Sequence, residues 1–377
     1  MPDRTVVAGR LVLADAVVAG RVLVEAGRIA AVEPDEAETG GPLIAPGFID
    51  LHVHGWGGHD AMAGRAALDG MARALLRRGV TSFLPTAVTA PLTALARFAD
   101  DVRSWRLDAP GDGASPLGFN LEGPFLAEAR KGAHNAQHLR APADLRAGDL
   151  DPLLDGLRVV TIAPELPGAL DLIAELAARG VACSLGHSAA TLEQARAGYA
   201  RGARSTTHLF NAMSGVDHRH PGLAVAALTN DAAFVELIAD GHHVDPSLWP
   251  LILRAKPPER LLLVSDALSL AGTGEGRATV GGLQVEVRDD RATLVAGGAL
   301  AGSLIALDSA VRNLVREGVP LPRAVAAASA NPAALLGLDD RGRIAAGCRA
   351  DLVELDDGLR VRRVMRGDDW IPAAPVA

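Results

Sequence analysis

APGFIDLHVHG, residues 45–55, carries an apolar run into two histidines, His52 and His54, spaced i, i+2. Side chains two apart in an extended strand project from the same face, so both imidazoles can approach one metal ion while Val53 points away. Taken alone, the pair reads equally well as ordinary histidines at the end of a strand. The rest of the chain decides between the two readings.

Working outward, GFIDLH (47–52) is the first of eight short apolar runs. The others are TSFLPT (81–86), LGFNLE (117–122), RVVTIAP (158–164), ACSLGH (182–187), STTHL (205–209), FVELIAD (234–240) and LLLVSD (261–266). Helical patterns at 65–78, 92–105, 169–179, 192–201 and 247–254 separate many of them, and others follow at 307–317 and 323–330. Eight strand–helix units within roughly 300 residues predict an α/β protein with a (β/α)8 TIM barrel over 47–342. A Gly-rich insert at 272–302 contains GLQVEVRD and RATLVAG, the pattern of a hairpin interrupting the last unit. Residues 1–46 and 343–377 share a grammar of short apolar runs, charges and turns, and are expected to pair into one small β-sandwich domain.

Composition narrows the function. A chain of 377 residues suits a barrel with an appendage. Hydrophobic residues make up 49% and aromatics only 3%, so the core is expected to be aliphatic. A net charge of -8 argues against nucleic-acid binding, while leaving room for a local basic pocket. Cys183 and Cys348 are the two cysteines and form no CxxC motif, so no disulfide framework is expected. Asp3, Arg4, Arg10, Asp15 and Arg21 interrupt the N-terminal apolar runs, which fits neither a signal segment nor a membrane span. The expectation is a cytoplasmic protein that binds no membrane.

Residues at the C-terminal ends of barrel strands converge on one mouth. Here they are His52 and His54 on the first strand, Glu122 on the third, His187 on the fifth, His208 on the sixth and Asp266 on the eighth. Four imidazoles and two carboxylates suit zinc or another divalent first-row ion. Each alone reads as structural; six at one end of a barrel point to chemistry.

PGFIDLHVHG, NLEGPFL (120–126), RKGAHN (130–135), LGHS (185–188), THLFNAM (207–213), IADGHHV (238–244), LVSDA (263–267) and LAGS (300–303) together resemble the N-acetylglucosamine-6-phosphate deacetylase family of the amidohydrolase superfamily, from about residue 5 to 370. The resemblance implies Glu122, His187 and His208 as metal ligands, with His52 and His54 as additional ligands where the pair is retained. It implies one or two ions per subunit, with Zn2+ expected and Fe, Co or Mn also compatible with such ligands. Asp266 falls on the catalytic aspartate. Amide hydrolysis needs a strong nucleophile and an acid for a poor leaving group; a bound ion lowers the pKa of its water toward about 7, and Asp266 would take the water's proton and pass it to the amine.

For a phosphorylated amino sugar, the resemblance places His134 on the carbonyl or sugar, Ala133 and Leu300 along the wall, and Asn211, Ala212, Arg219 and His243 on the phosphate. It also implies a homodimer. Phe210 stands where a tyrosine is common, and Ser214 and His218 replace a common Pro and Gly. An unphosphorylated or epimeric N-acetyl hexosamine is therefore the alternative substrate.

Three rivals have identifiable signatures. GHSAA (186–190) partly imitates the serine nucleophile elbow but has Ala190 in place of the final glycine. A cyclic-amide hydrolase with a carboxylated lysine would need a lysine at a strand end, whereas Lys131 and Lys256 end none of the proposed strands. An inactive scaffold would be expected to lose ligands, and this chain retains them.

Overall fold

The computed structural model describes residues 4–34 and 40–374. Of the segments expected to build the terminal domain, residues 1–3, 35–39 and 375–377 lie outside these. Eight parallel strands form the barrel: β1 (Phe48–Val53), β2 (Val80–Val88), β3 (Phe119–Glu122), β4 (Leu157–Ile162), β5 (Ala182–Leu185), β6 (Ser205–Thr206), β7 (Phe234–Leu237) and β8 (Leu261–Leu263). Each pairs with its neighbour in chain order. An isolated bridge between Val53 and Ala267 joins the last strand's extension to the first. There the Asp266 N–H donates to the His52 carbonyl at 2.8 Å.

All six residues of β1 are buried, as expected of a parallel strand covered on both faces. The helices cover the outside with apolar stripes. Arg65–Leu76 buries Leu68, Met71, Ala72, Leu75 and Leu76, the i, i+3, i+4, i+7, i+8 pattern of an amphipathic helix. Thr191 caps Leu192–Ala200 by accepting from the Gln194 N–H, and the Gln194 side chain accepts from the Thr191 N–H in return. At the N-terminal end of the barrel, Ile49, Leu51, Leu84, Val159 and Leu262 pack beneath Ala333, Leu335 and Leu336.

Several strands are shorter than their apolar runs. β5, β6 and β8 stop at Leu185, Thr206 and Leu263, because the chain beyond them turns left-handed at His187 (φ 47°), His208 (φ 27°) and Asp266 (φ 50°). A left-handed residue breaks the extended ladder and re-aims its side chain. The helix expected at 323–330 is two, Leu321–Ala327 and Ala330–Leu335.

The two chain ends interleave in one seven-stranded sheet. Its order is Asp369–Pro372, Val361–Arg366, Asp351–Leu355, Leu43–Pro46, Arg4–Val12, Val17–Glu25 and Arg28–Pro34. Leu43–Pro46 pairs antiparallel with Asp351–Leu355, fixing the chain just ahead of β1. The sheet has its own core, including Val7, Leu11, Val22, Ile29, Ile44, Leu352 and Met365. The insert is a three-stranded antiparallel sheet, Gly276–Val280, Leu283–Arg288 and Arg291–Leu294, one strand more than the hairpin expected. Its Val280, Val285, Val287 and Ala292 pack on Leu268 and Ala301. No helix among the described residues is long and apolar enough to cross a membrane.

Candidate metal centre

Glu122, at the end of β3, is the hub of the barrel mouth. Its Oε1 lies 2.8 Å from His208 Nε2, 3.1 Å from His187 Nε2 and 3.4 Å from His52 Nε2. Its Oε2 lies 3.2 Å from His54 Nε2 and 3.0 Å from His134 Nε2. Asp266 Oδ1 stands 3.1 Å from His54 Nε2 and 3.6 Å from His52 Nε2. Two donor groups result, His52–His54–Glu122–Asp266 and Glu122–His187–His208, each with ligand atoms within 4.8 Å of one another. All six predicted residues are buried.

The far nitrogens of the rings fix what the near ones offer. His52 Nδ1–H donates to Glu236 Oε2 (3.1 Å), His54 Nδ1–H to the Thr86 carbonyl (3.1 Å) and His187 Nδ1–H to the Arg130 carbonyl (2.8 Å). Each such bond leaves a bare Nε2 lone pair turned to the centre, the tautomer a metal ligand requires. His134 has the opposite arrangement. The Thr89 N–H donates to its Nδ1 at 3.3 Å, so its hydrogen sits on Nε2, facing Glu122. It is built as a donor.

Lone pairs of neutral imidazoles and carboxylate oxygens at these separations repel one another unless positive charge lies between them. His187 and His208 bring their Nε2 atoms within 3.0 Å, and the buried His52 Nε2 has no hydrogen-bond partner. The proton affinities register the same demand. Burial pushes the His54 pKa down, but hydrogen bonds to Asp266 and Glu122 outweigh it and lift it to about 9. Asp266 would be raised by burial, yet the charge of His52 and the hydrogen bond from His54 bring it to about 2. Glu122, likewise opposed by burial, is held well below the carboxylate range by His52 and His134. Without a metal, the acids draw protons onto His52, His54 and His208, while burial pushes His187 down to about 4; a divalent cation satisfies the same nitrogens and oxygens, so the donor set fits one.

The surrounding motifs hold this geometry. Gly132 (φ 53°) comes so close to the His187 ring that a Cβ there would lie 3.2 Å from Cε1. Gly302 (φ 60°) approaches Asp266, where a Cβ would lie 2.8 Å from the carbonyl oxygen. Ser303 N–H donates to that carbonyl at 2.7 Å. Glu236, alone charged in the apolar β7, accepts both His52 Nδ1–H and the His208 N–H (3.1 Å). The sequence reading missed Glu236, although an acid inside the apolar run FVELIA (234–239) is a buried-charge signal. Ser188, the would-be nucleophile, donates to Glu165 Oε2 (2.7 Å) and accepts the Ala190 N–H (3.0 Å), so its hydroxyl serves its own turn.

A cavity of about 290 Å³ opens over the centre. Ala133, His134, Asn211, Ala212, His243 and Leu300 line it with His54, Glu122, His187, His208 and Asp266, as do Arg130 and, from the insert, Val280. His243 Nδ1–H donates to Asp240 Oδ2 at 2.7 Å. Arg219 lies outside this cavity, on an exposed turn where its N–H donates to Asp217 Oδ1 (2.8 Å).

Residues 43–371 match the model of the amidohydrolase family. The chain belongs to the amidohydrolase family. This amidohydrolase is 42% identical over 352 residues to N-acetylgalactosamine-6-phosphate deacetylase of Escherichia coli O157:H7, covering 90% of this chain and 91% of that one. Among solved structures, N-acetylglucosamine-6-phosphate deacetylase from Thermotoga maritima superposes with a TM-score of 0.92 at 34% identity, over 98% of this chain and 100% of that one. The Mycobacterium smegmatis enzyme of that name, solved as an aspartate-to-alanine variant with N-acetyl-D-glucosamine-6-phosphate, gives a TM-score of 0.90 at 35% identity, over 98% and 99%. The amidohydrolase assignment makes the chain an enzyme of amide hydrolysis and agrees with the barrel and the resemblance read from its motifs.

Proposed function

We propose that this amidohydrolase removes the acetyl group of N-acetyl-D-glucosamine 6-phosphate, giving D-glucosamine 6-phosphate and acetate. The observation carrying the reading is the convergence of Glu122, His187 and His208, with Asp266 beside them, on the floor of one cavity. Glu122, His187 and His208 would hold one divalent ion, Zn2+ by ligand type, and His52, His54 and Asp266 supply donors for a second, with Glu122 shared. Such an ion supplies an acidified water and polarises a carbonyl.

The chain's own residues do the rest. Asp266, buried and ionised, accepts a proton from water on a carboxylate oxygen and returns it to the departing amine nitrogen. His134 presents Nε2–H to the acetamide carbonyl, steadied through Nδ1 by Thr89. Asn211, Ala212 and His243 line the wall where the phosphate would lie, and Ala133 and Leu300 bound the sugar. Arg219 would join the phosphate only through movement of its turn or from another subunit.

A second reading, the 4-epimer N-acetyl-D-galactosamine 6-phosphate, is favoured by the E. coli relative. Acetate release from the two 6-phosphates decides between them: the proposal expects the higher kcat/KM on the gluco substrate, and a clear preference for the galacto one would overturn that choice. The proposal extends to a homodimer, on the sequence resemblance, and to the cytoplasm, where two buried unpaired cysteines and a phosphorylated substrate are at home. It also divides the chain into a small domain from 1–46 and 343–377 and a catalytic barrel over 47–342.

A further inference from the structure

We propose that Ser303 is a positioning residue for the hydrolysis, the group that holds Asp266 in the conformation from which its carboxylate works; this rests on the role given to Asp266 above. Asp266 is a non-glycine residue at φ 50°, a backbone state that L side chains adopt rarely and keep only where the surroundings impose it. The two peptide planes that meet at its Cα set that state. One runs from the Ser265 carbonyl to the Asp266 N–H, the other from the Asp266 carbonyl to the Ala267 N–H.

All four polar groups of those planes are engaged, and Ser303 holds both carbonyls. Its hydroxyl donates to the Ser265 carbonyl at 2.5 Å and its N–H to the Asp266 carbonyl at 2.7 Å. On the opposite side, the Asp266 N–H donates to the His52 carbonyl at 2.8 Å and the Ala267 N–H to Ser265 Oγ at 3.2 Å. One residue thus grips the chain before and after the carboxylate. The hydroxyl is itself oriented, because it accepts the Ile305 N–H at 3.1 Å and so turns its single hydrogen to the Ser265 carbonyl. Ser303 and Ser265 are both buried, and bulk water does not compete for that carbonyl. The motifs LVSDA and LAGS meet here, through an isolated bridge between Ala267 and Ser303. Losing the hydroxyl strands a buried carbonyl and frees one of the two planes to turn. The carboxylate of Asp266 then shifts, while Glu122, His187 and His208, carried by other strands, stay in place.

The test measures kcat and KM for acetate release from N-acetyl-D-glucosamine 6-phosphate in Zn2+-loaded wild type, Ser303→Ala, Asp266→Asn and the double variant, with metal content and Tm for each. Ser303→Ala is expected to lower kcat roughly 10- to 100-fold, with KM and the ion at Glu122, His187 and His208 unchanged. In the Asp266→Asn background the same substitution is expected to change kcat by less than about twofold, because Ser303 acts through that carboxylate. Ser303→Cys keeps a weaker donor in the same place and is expected to recover part of the loss; it takes the place of alanine in the comparison if the alanine variant does not fold. Wild-type kcat in Ser303→Ala, a loss carried by KM or by metal content, or an equal loss in both backgrounds would overturn the assignment. Wild type releasing no acetate, or Asp266→Asn turning over normally, would instead refute the function and the base on which the assignment rests.

Discussion

Glu236 Oε2 accepts the Nδ1–H of His52 at 3.1 Å, from across the barrel. That bond sets the ring's tautomer, and the same oxygen also holds the His208 N–H, so one buried acid orients two ligand positions. Glu236→Gln removes the charge and lets the amide donate to Nδ1, placing the ring hydrogen on Nε2, where it blocks coordination. Metal affinity is expected to fall roughly 10- to 100-fold, read by competition with a calibrated chelator. Unchanged affinity would remove Glu236 from the account.

Asp266→Asn keeps the shape but cannot accept a proton. Turnover should fall roughly 100- to 10,000-fold while the ion at Glu122, His187 and His208 is retained. Acetate release and metal analysis on the same preparation check both halves. Wild-type turnover in this variant would reassign the base.

The acids at the mouth stand close together, so the metal-free protein is expected to be the less stable form. Added Zn2+ at about 100 times its Kd should stabilise the stripped protein by about 2.7 kcal/mol, seen as a rise in Tm that depends on metal concentration. No shift would mean that the donor set holds no ion.

Away from the site, buried Asp308 binds Arg78 through both carboxylate oxygens, at 2.8 and 3.0 Å. This links the helix Leu307–Arg316 to the residues just after the first barrel helix, Arg65–Leu76. Asp308→Ala is expected to cost about 2 to 3 kcal/mol in denaturant unfolding, with kcat little changed. A change in kcat larger than the change in stability would mean that this helix also positions the site.

The eight barrel strands were legible because each apolar run is bounded by turn residues and separated by helical spacing, and His52 and His54 were legible because their spacing is local. Strand ends were not. His187, His208 and Asp266 sit on left-handed residues past the ladders, and hydrophobicity does not encode φ. The partners that set tautomers were also hidden, since Glu236 meets His52 across 184 residues and Thr89 meets His134 across 45. Arg130 opens the RKGAHN motif, but its place on the cavity wall is set by the fold around it and not by its own stretch of sequence.

The most direct measurement is acetate release from N-acetyl-D-glucosamine 6-phosphate by protein stripped of metal and then restored with Zn2+. The account predicts negligible release when stripped, recovery on restoration, and no recovery in a Glu122→Gln protein that remains folded. Full activity in the stripped protein, or equal recovery without Glu122, would contradict it.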